Sequence, residues 1–584
     1  MHLIKKLRES RSPSPSTRSA FNLRSNHHLK ELTRLLDFSN TPQVSIHFEV
    51  LGETPQATTI CPSSSGTLTA RNPTSLEPSA ASQAPSKPQA TSHNPPESAV
   101  DEGDVDIDTI YATASYTKIL INVAYSRLLS HERYKHLCLS WDKSACDVFN
   151  DIRGRKGKPP MLRIWGNPEI RQLLLHENGF APMNRYLFAP DGTFIMSKDE
   201  FIKVAPLITE DYYKDKYPHR GWVEYSNGNH IFAGMILEEI TDQSLQDLMR
   251  ELVFDWLDMT RTIMDEQSLA SRTTRAAIAT GYRVSANRSQ LSPLPSRYLS
   301  DVIETASLGA RSTVEDIAKL NRAFLMGAEG GADSKFQPQD IADFFRPDCD
   351  LRDGSAMTLG GLFSALNSHV TSEESLCRVI IPARNFLSYI LGKRPDGSAC
   401  NAYHKAGSID GFSSSAYLLL KDRAFVIVLG NSSGPLDVTG HIARYILQEA
   451  LQLSPRIDII SLAIEEGRIC STRLEEYERD DLPLSQWSDD VEDLAGTYQH
   501  VRYLQQLTVT RDGTVTVHGT KKTSSPMKLV RMYPKVVRIL PGMAGFSIER
   551  WSVWSDLVFE VEIKSHGRIN LLGNKGLDRY QKIS

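Results

Sequence analysis

The chain has 584 residues, 40% of them hydrophobic and 23% charged, which is long enough for two or three domains and excludes a wholly disordered chain. Lys and Arg number 66 against 70 for Asp and Glu, a formal net charge of -4, so no global bias favours nucleic acid or an acidic membrane as a partner. The seven cysteines, Cys61, Cys138, Cys146, Cys349, Cys377, Cys400 and Cys470, are scattered, odd in number and free of any CxxC pair. That spacing argues against a zinc module or a disulfide scaffold and fits a reducing compartment.

Residues 1–30 carry Lys5, Lys6, Arg8, Arg11, Arg18, Arg24 and Lys30 against Glu9, with many Ser between them. This reads as a solvated basic tail, with an organelle transit peptide as the alternative. It has no continuous apolar core, and no stretch of the chain is apolar enough to span a bilayer, so a cytoplasmic location is expected. A short helix is predicted from Leu29 to Leu36. Val44-Ser45-Ile46-His47-Phe48-Glu49-Val50 alternates as a half-buried strand does and needs a partner further on. Residues 54–105, rich in Pro, Ser, Thr and Ala, are predicted to be a disordered insertion with one convincing strand before it. Helical and strand patterns then alternate to residue 453, so residues 31–453 form one large mixed α/β domain with that insertion. A charged helical connector, 454–486, leads to a β-rich region at 487–584. There Asp512-Gly513 separates two alternating runs as a tight hairpin turn would, and Leu557, Phe559, Val561 and Ile563 share one face of a strand. A small antiparallel sheet or barrel is expected.

Three segments of the middle domain carry chemistry. Ser115-Tyr116-Thr117-Lys118 opens an apolar run, and Ser and Lys three apart on a helix lie on one face. A serine hydroxyl becomes a useful nucleophile only when a neighbouring base takes its proton, and a buried amine can be that base. The same spacing recurs at Ser140/Lys143 and Ser525/Lys528, and Ser115 could equally be a helix cap with Lys118 in solvent. Against that, a first-turn Lys opposes the helix dipole and the following run is too apolar for a surface helix. In Glu224-Tyr225-Ser226-Asn227-Gly228, Tyr225 can shuttle a proton if a cation lowers its pKa, and Asn227 can hold a carbonyl or a lysine; a turn with a packed Tyr is the plain alternative. Tyr403-His404-Lys405-Ala406-Gly407-Ser408 precedes two strands. Gly407 would admit a substrate backbone, and His404 or Lys405 would offer it a polar or positive group; an ordinary Gly-rich loop would look the same.

Taken together and in this order, the three segments resemble the serine β-lactamase and penicillin-binding-protein superfamily, in its class C-like branch with esterases, D-aminopeptidases and fungal transesterases. Ser115-x-x-Lys118 resembles its nucleophile motif, Tyr225-x-Asn227 the second, and Lys405-Ala406-Gly407 the third. Ser307-Leu308-Gly309 through Leu320, with Thr313 and Asp316 as a capping pair, and Val253 through Thr262 are also similar to family segments. The resemblance implies an antiparallel sheet flanked by helices and an acyl-enzyme on Ser115. It implies that Lys118 and Tyr225 share the serine proton, while Asn227, His404, Lys405, Gly407 and Ser408 bind substrate. The substrate would be a small-molecule ester, thioester, amide or lactam. No metal or organic cofactor is implied. Water is the default acyl acceptor; a transesterase of secondary metabolism and a scaffold without turnover are the alternatives, and the oligomeric state stays open. The chain departs from the family in several places. Only one strand precedes the insertion, so the sheet edge is expected to be incomplete; Trp256 stands for Pro and Asp258 for Gly; and Ala406 replaces a Thr, which weakens a β-lactam or D-Ala-D-Ala reading.

Overall fold

The alternating segment near the start of the chain seeds the central sheet. In a computed structural model, the described residues are 21–62, 107–137, 139–214, 223–265, 278–285, 287–294, 305–331, 333–350, 356–365, 392–479, 488, 490–520, 522–540, 558–564, 569–573 and 578–584. Eight strands, β1 (Val44–Val50), β2 (Gln56–Ile60), β3 (Cys349–Asp350), β4 (Ala356–Thr358), β5 (Gly361–Ala365), β6 (Asn401–Ile409), β7 (Phe412–Leu419) and β8 (Ala424–Gly430), pair antiparallel in the order β2-β1-β8-β7-β6-β5-β4-β3. The partner that β1 requires is β8, in register from Val44 opposite Gly430 to Val50 opposite Ala424.

Two expectations about the N-terminal region are corrected. β2 lies inside the segment read as a disordered insertion, so the sheet edge has its second strand. Ala57, Thr58, Thr59 and Ile60 are buried there, and β-branched residues paired along β1 order readily even within a Pro/Ser/Thr-rich stretch. The rest of the expected insertion, 63–105, lies outside the described residues, as do residues 1–20 of the basic tail. That tail also ends sooner than expected: Leu23 is buried, and α1 (Asn26–Ser39) starts at a Ser25 cap whose Oγ accepts from the His28 N–H. Leu29, Leu32, Leu35 and Leu36 form its buried stripe.

Both faces of the sheet are covered. On β8, Phe425, Ile427 and Leu429 join the core beneath α2 (Thr117–Ser130), α3 (Asn227–Thr241) and α4 (Val314–Glu329), whereas Val426 and Val428 join the core beneath α1, α5 (Val438–Leu451) and α6 (Ile459–Arg479). A strand buried on both faces reads as a continuous apolar run, as residues 424–429 do. α2 is buried nearly all round, as its sequence suggested. Thr313 caps α4, its Oγ1 accepting from the Asp316 N–H at 3.1 Å. The Asp316 carboxylate turns instead to the Arg261 N–H and the Thr262 hydroxyl. Asp258 sits at φ 57°, left-handed backbone in which a glycine is more comfortable. In α6, Cys470 is disulfide-bonded.

A charge cluster, buried on the β1 side and part exposed on the α4 side, ties β1 to α4. His47 Nε2 hydrogen-bonds Glu49 at 3.1 Å, its Nδ1 lies 3.2 Å from Glu315, and Arg322 pairs with Glu49 at 2.6 Å. Burial pulls the imidazole down, but the two carboxylates outweigh it and raise its pKa above the ordinary 6.5. A raised folded-state value stabilises fully below the unfolded value and is lost as pH climbs through the folded one. The carboxylates of Glu49 and Glu315 are depressed below 4.5, so their share is lost on acidification. His47→Gln is therefore expected to cost about 3 kcal/mol near pH 6, and the deficit should shrink in alkali. Urea melts of both proteins at two pH values check this; a deficit constant with pH would contradict it.

The C-terminal region is a closed eight-stranded antiparallel barrel, β9 (Gly496–His500), β10 (Gln506–Val509), β11 (Thr514–His518), β12 (Met527–Tyr533), β13 (Val536–Leu540), β14 (Val558–Ile563), β15 (Ile569–Gly573) and β16 (Asp578–Lys582). The β10–β11 turn is at Asp512-Gly513, with Gly513 at φ 80°. The barrel docks on the sheet-and-helix domain: Ala189 and Ile195 share its core, the Ser525 N–H donates to Asp191 at 2.7 Å, and Gln505 donates to the Arg185 carbonyl.

Candidate active site

Ser115 stands on a single 3-10 turn, Ala114–Tyr116, immediately before α2. Ala114 is held at φ 48°, a left-handed conformation costing about 1–2 kcal/mol for a residue with a Cβ. The surroundings hold it there. The Thr117 hydroxyl donates to the Ala114 carbonyl at 2.6 Å, and the Thr113 carbonyl accepts from the Tyr116 N–H and from the Ser414 hydroxyl. Strain of this kind is stored where geometry matters to function. Lys118 follows one turn later on α2 and is 2% exposed. Its Nζ donates to Ser115 Oγ at 3.1 Å, to Asn227 Oδ1 at 2.8 Å and to the Ser307 carbonyl at 2.9 Å.

Ser226 caps α3, accepting from the Gly228 N–H, and this cap places Tyr225 and Asn227 on either side of the helix start. The Tyr225 hydroxyl donates to Ser115 Oγ at 2.8 Å. Burial of that hydroxyl pushes the phenol up, but the nearby charges of Lys118 and Lys405 outweigh it and bring the pKa below the ordinary value. Lys118 and Lys405 lie 5.0 and 4.9 Å from the Tyr225 ring centre. Tyr225 as a whole residue is 43% exposed, so it meets solvent beside the serine.

The third segment lies on β6, and only alternate residues of it face Ser115. Lys405 reaches Tyr225, and a Cβ added at Gly407 would stand 2.8 Å from the Ser115 nitrogen. His404 is corrected: it is turned to the opposite face, buried, stacked on Tyr417 with ring centres 4.1 Å apart and 3.2 Å from Ser415 Oγ. Its burial, with Arg444 and Lys405 nearby, drives its pKa well below the ordinary value. Ser408 shares that opposite face, because side chains alternate along a strand; only its backbone remains on the site's edge. β5 pairs with β6 over Asn401 to His404, and from Lys405 onward its described partner is β7.

Three further residues complete the constellation. Asn184 accepts from Asn227 Nδ2 at 3.1 Å, which turns the Asn227 oxygen toward Lys118. Ser307 supplies its carbonyl to Lys118 from a stretch whose family likeness carried no role. His176 packs under Tyr225 with ring centres 4.4 Å apart, and its Nδ1 accepts from the Ser226 N–H at 3.2 Å while its carbonyl accepts from the Glu224 N–H. Burial, with Lys118 and Lys405 adding to it, holds that imidazole neutral. Nothing in the apolar run Leu173-Leu174-Leu175-His176 signals the role.

The sequence profile of the Beta-lactamase family matches residues 94–451. The chain belongs to the Beta-lactamase family. Family membership brings serine hydrolase-type, acyl-enzyme chemistry in general terms. Among solved structures, an octameric penicillin-binding protein homologue from Pyrococcus abyssi is similar at 16% identity, with a TM-score of 0.49, over 95% of this chain and 99% of that one. A class C beta-lactamase from Rhodobacter sphaeroides is also similar at 16% identity, with a TM-score of 0.46, over 72% of this chain and 98% of the other. No curated protein matches the chain. Among the described residues, no group of three or more His, Cys, Asp or Glu is placed to hold a metal ion, and no helix is long and apolar enough to cross a membrane.

Proposed function

We propose that this Beta-lactamase family member is a serine hydrolase of small-molecule acyl compounds, working through an ester on Ser115. The observation that carries the reading is the meeting of Lys118 Nζ and the Tyr225 hydroxyl on one oxygen, Ser115 Oγ, at 3.1 and 2.8 Å. Ser115 Oγ attacks the carbonyl carbon, and its proton passes to the Lys118–Tyr225 pair. The N–H groups of Ser115 and of the strand after Gly407 receive the oxyanion. The leaving group departs with the proton, and water then attacks the ester, its own proton taken by the same pair. Asn227 holds Lys118 in place, and Lys405 supplies positive potential. Ala406 falls with His404 and Ser408 on the face of β6 turned away from Ser115, so its lack of a hydroxyl does not discriminate among ester, thioester, amide and lactam substrates.

Incubation with a fluorophosphonate, read by intact mass, is expected to add one phosphonyl group to the wild type and none to Ser115→Ala. An unlabelled wild type would overturn the reading. The pH dependence tests the role of Tyr225. Its ionised form accepts the serine proton, so labelling should rise with pH through the depressed Tyr225 value. Lys405→Gln removes one of the two cations that depress it, so the rising limb should move to higher pH and the rate at neutral pH should fall. A limb in the same place in both proteins would remove Tyr225 from the proton path.

A further inference from the structure

At the junction of the barrel with the catalytic domain lies a half-open pocket of about 390 Å³, within the range of small-molecule sites. None of Ser115, Lys118 or Tyr225 lines it. One wall comes from residues 182–186 and 208–214 of the catalytic domain, the other from residues 501–503 and Arg579 of the barrel. Of the five charged residues that line it four are basic, Arg185, Lys214, Arg502 and Arg579, and one is acidic, Asp211; the Arg185 guanidinium lies over the Tyr186 ring, 5.4 Å from its centre. Asp211 is already engaged, pairing with Arg502 and accepting from the Tyr503 hydroxyl at 2.8 Å. Arg579 lies 3.8 Å from Glu562, with both side chains part exposed, a contact that neutralises little. Three aromatic rings, Tyr186, Tyr212 and Tyr503, and the aliphatic Pro182, Ile208 and Val501 make up the rest. Tyr186 meets Tyr503 edge-on with centres 5.0 Å apart, and Tyr212 donates its hydroxyl to Glu224. With the hydroxyls of Tyr212 and Tyr503 committed elsewhere, these two side chains offer the pocket mainly ring surface.

We propose that this pocket binds an organic anion with an aromatic body. Its carboxylate or phosphate would lie between Arg185 and Arg579, because planar guanidinium forks match both oxyanions, and its ring would lie against Tyr186 and Tyr503. The site abuts the Ser115 constellation at two places. Arg185 follows Asn184, which holds Asn227, and Tyr212 holds Glu224, the neighbour of Tyr225. A bound anion would therefore stiffen the segments on either side of Asn227 and Tyr225. Binding itself does not depend on Ser115 being acylated.

Calorimetric titration of the full chain with phenyl phosphate and with benzoate tests the proposal. At least one should bind saturably, and inorganic phosphate and benzyl alcohol, each carrying half of the recognised chemistry, should be about tenfold weaker or more. The tighter of the two aryl anions identifies the oxyanion. Arg185→Gln should weaken binding about tenfold. Lys214→Gln should weaken it several-fold, and because Lys214 is exposed this second variant carries little risk to folding. Lys405→Gln, in the Ser115 site, should leave the affinity unchanged. No saturable binding of either aryl anion would overturn the proposal. So would binding that Lys405→Gln abolishes and the two pocket variants retain, since that places the anion beside Ser115.

Discussion

Lys118→Met is expected to slow acylation of Ser115 about a thousandfold, the scale of a lost general base. Methionine nearly matches the lysine stem in length and volume and keeps the packing of α2, so the change removes the nitrogen and little else. The Asn227 oxygen and the Ser307 carbonyl each lose a buried donor, at about 1–3 kcal/mol apiece, and the melting temperature should fall accordingly. A second signature separates loss of the base from general damage. Lys118 is the first of the two cations that depress Tyr225, so whatever labelling remains should need a higher pH. Stopped-flow labelling with an activated ester across the pH range measures both. A rate within tenfold of wild type would show that the lysine is a structural donor and that the proton leaves by another route.

Gly407→Ala should be nearly as severe. A Cβ there would lie 2.5 Å from the Thr113 carbonyl, 2.6 Å from Ser414 Oγ and 2.8 Å from the Ser115 nitrogen. Two of these neighbours are backbone, and both belong to the strained turn that presents the nucleophile. The chain has to move β6 away from that turn, and the N–H groups proposed to share the oxyanion move apart with it. Loss of one such donor costs about a hundredfold or more in rate. The expected result is a folded protein, with its far-ultraviolet spectrum intact, that labels about a hundred times more slowly. Labelling at the wild-type rate would mean that the oxyanion is not held between these two segments.

How far the sequence discloses this site depends on how local each relationship is. Ser115 and Lys118 sit one helical turn apart, so their meeting follows from spacing and the apolar run behind them. Tyr225 and Asn227 are also legible as a pair, but their approach to Ser115 is made by the packing of α2 on α3, which no spacing encodes. His404 shows the opposite hazard. A contiguous motif invites every residue in it to be read as functional, yet a strand sends neighbours to opposite faces, and only Lys405 and Gly407 are turned to the serine. Asn184 and His176 act through contacts across 43 and 50 residues of sequence, with no local pattern to mark them. The barrel was legible from its alternating runs and its Asp512-Gly513 turn, because hairpins are local; its docking against residues 185–211 was not. β2 escaped notice because a five-residue strand contributes little to the composition of the Pro/Ser/Thr-rich stretch around it.

Three hydrogen bonds of Lys118 have a consequence in simple valence. An ammonium group owns three protons, and Ser115 Oγ, Asn227 Oδ1 and the Ser307 carbonyl each accept from this one. The carbonyl and the amide oxygen, which Asn184 keeps turned inward, can only accept. When the nitrogen gives up one proton, those two acceptors claim the remaining pair, and the vacated orbital has the serine oxygen in front of it. The lysine then needs no rotation to change from donor to acceptor toward Ser115; the two oxygens that only accept decide which of its four tetrahedral directions becomes the base.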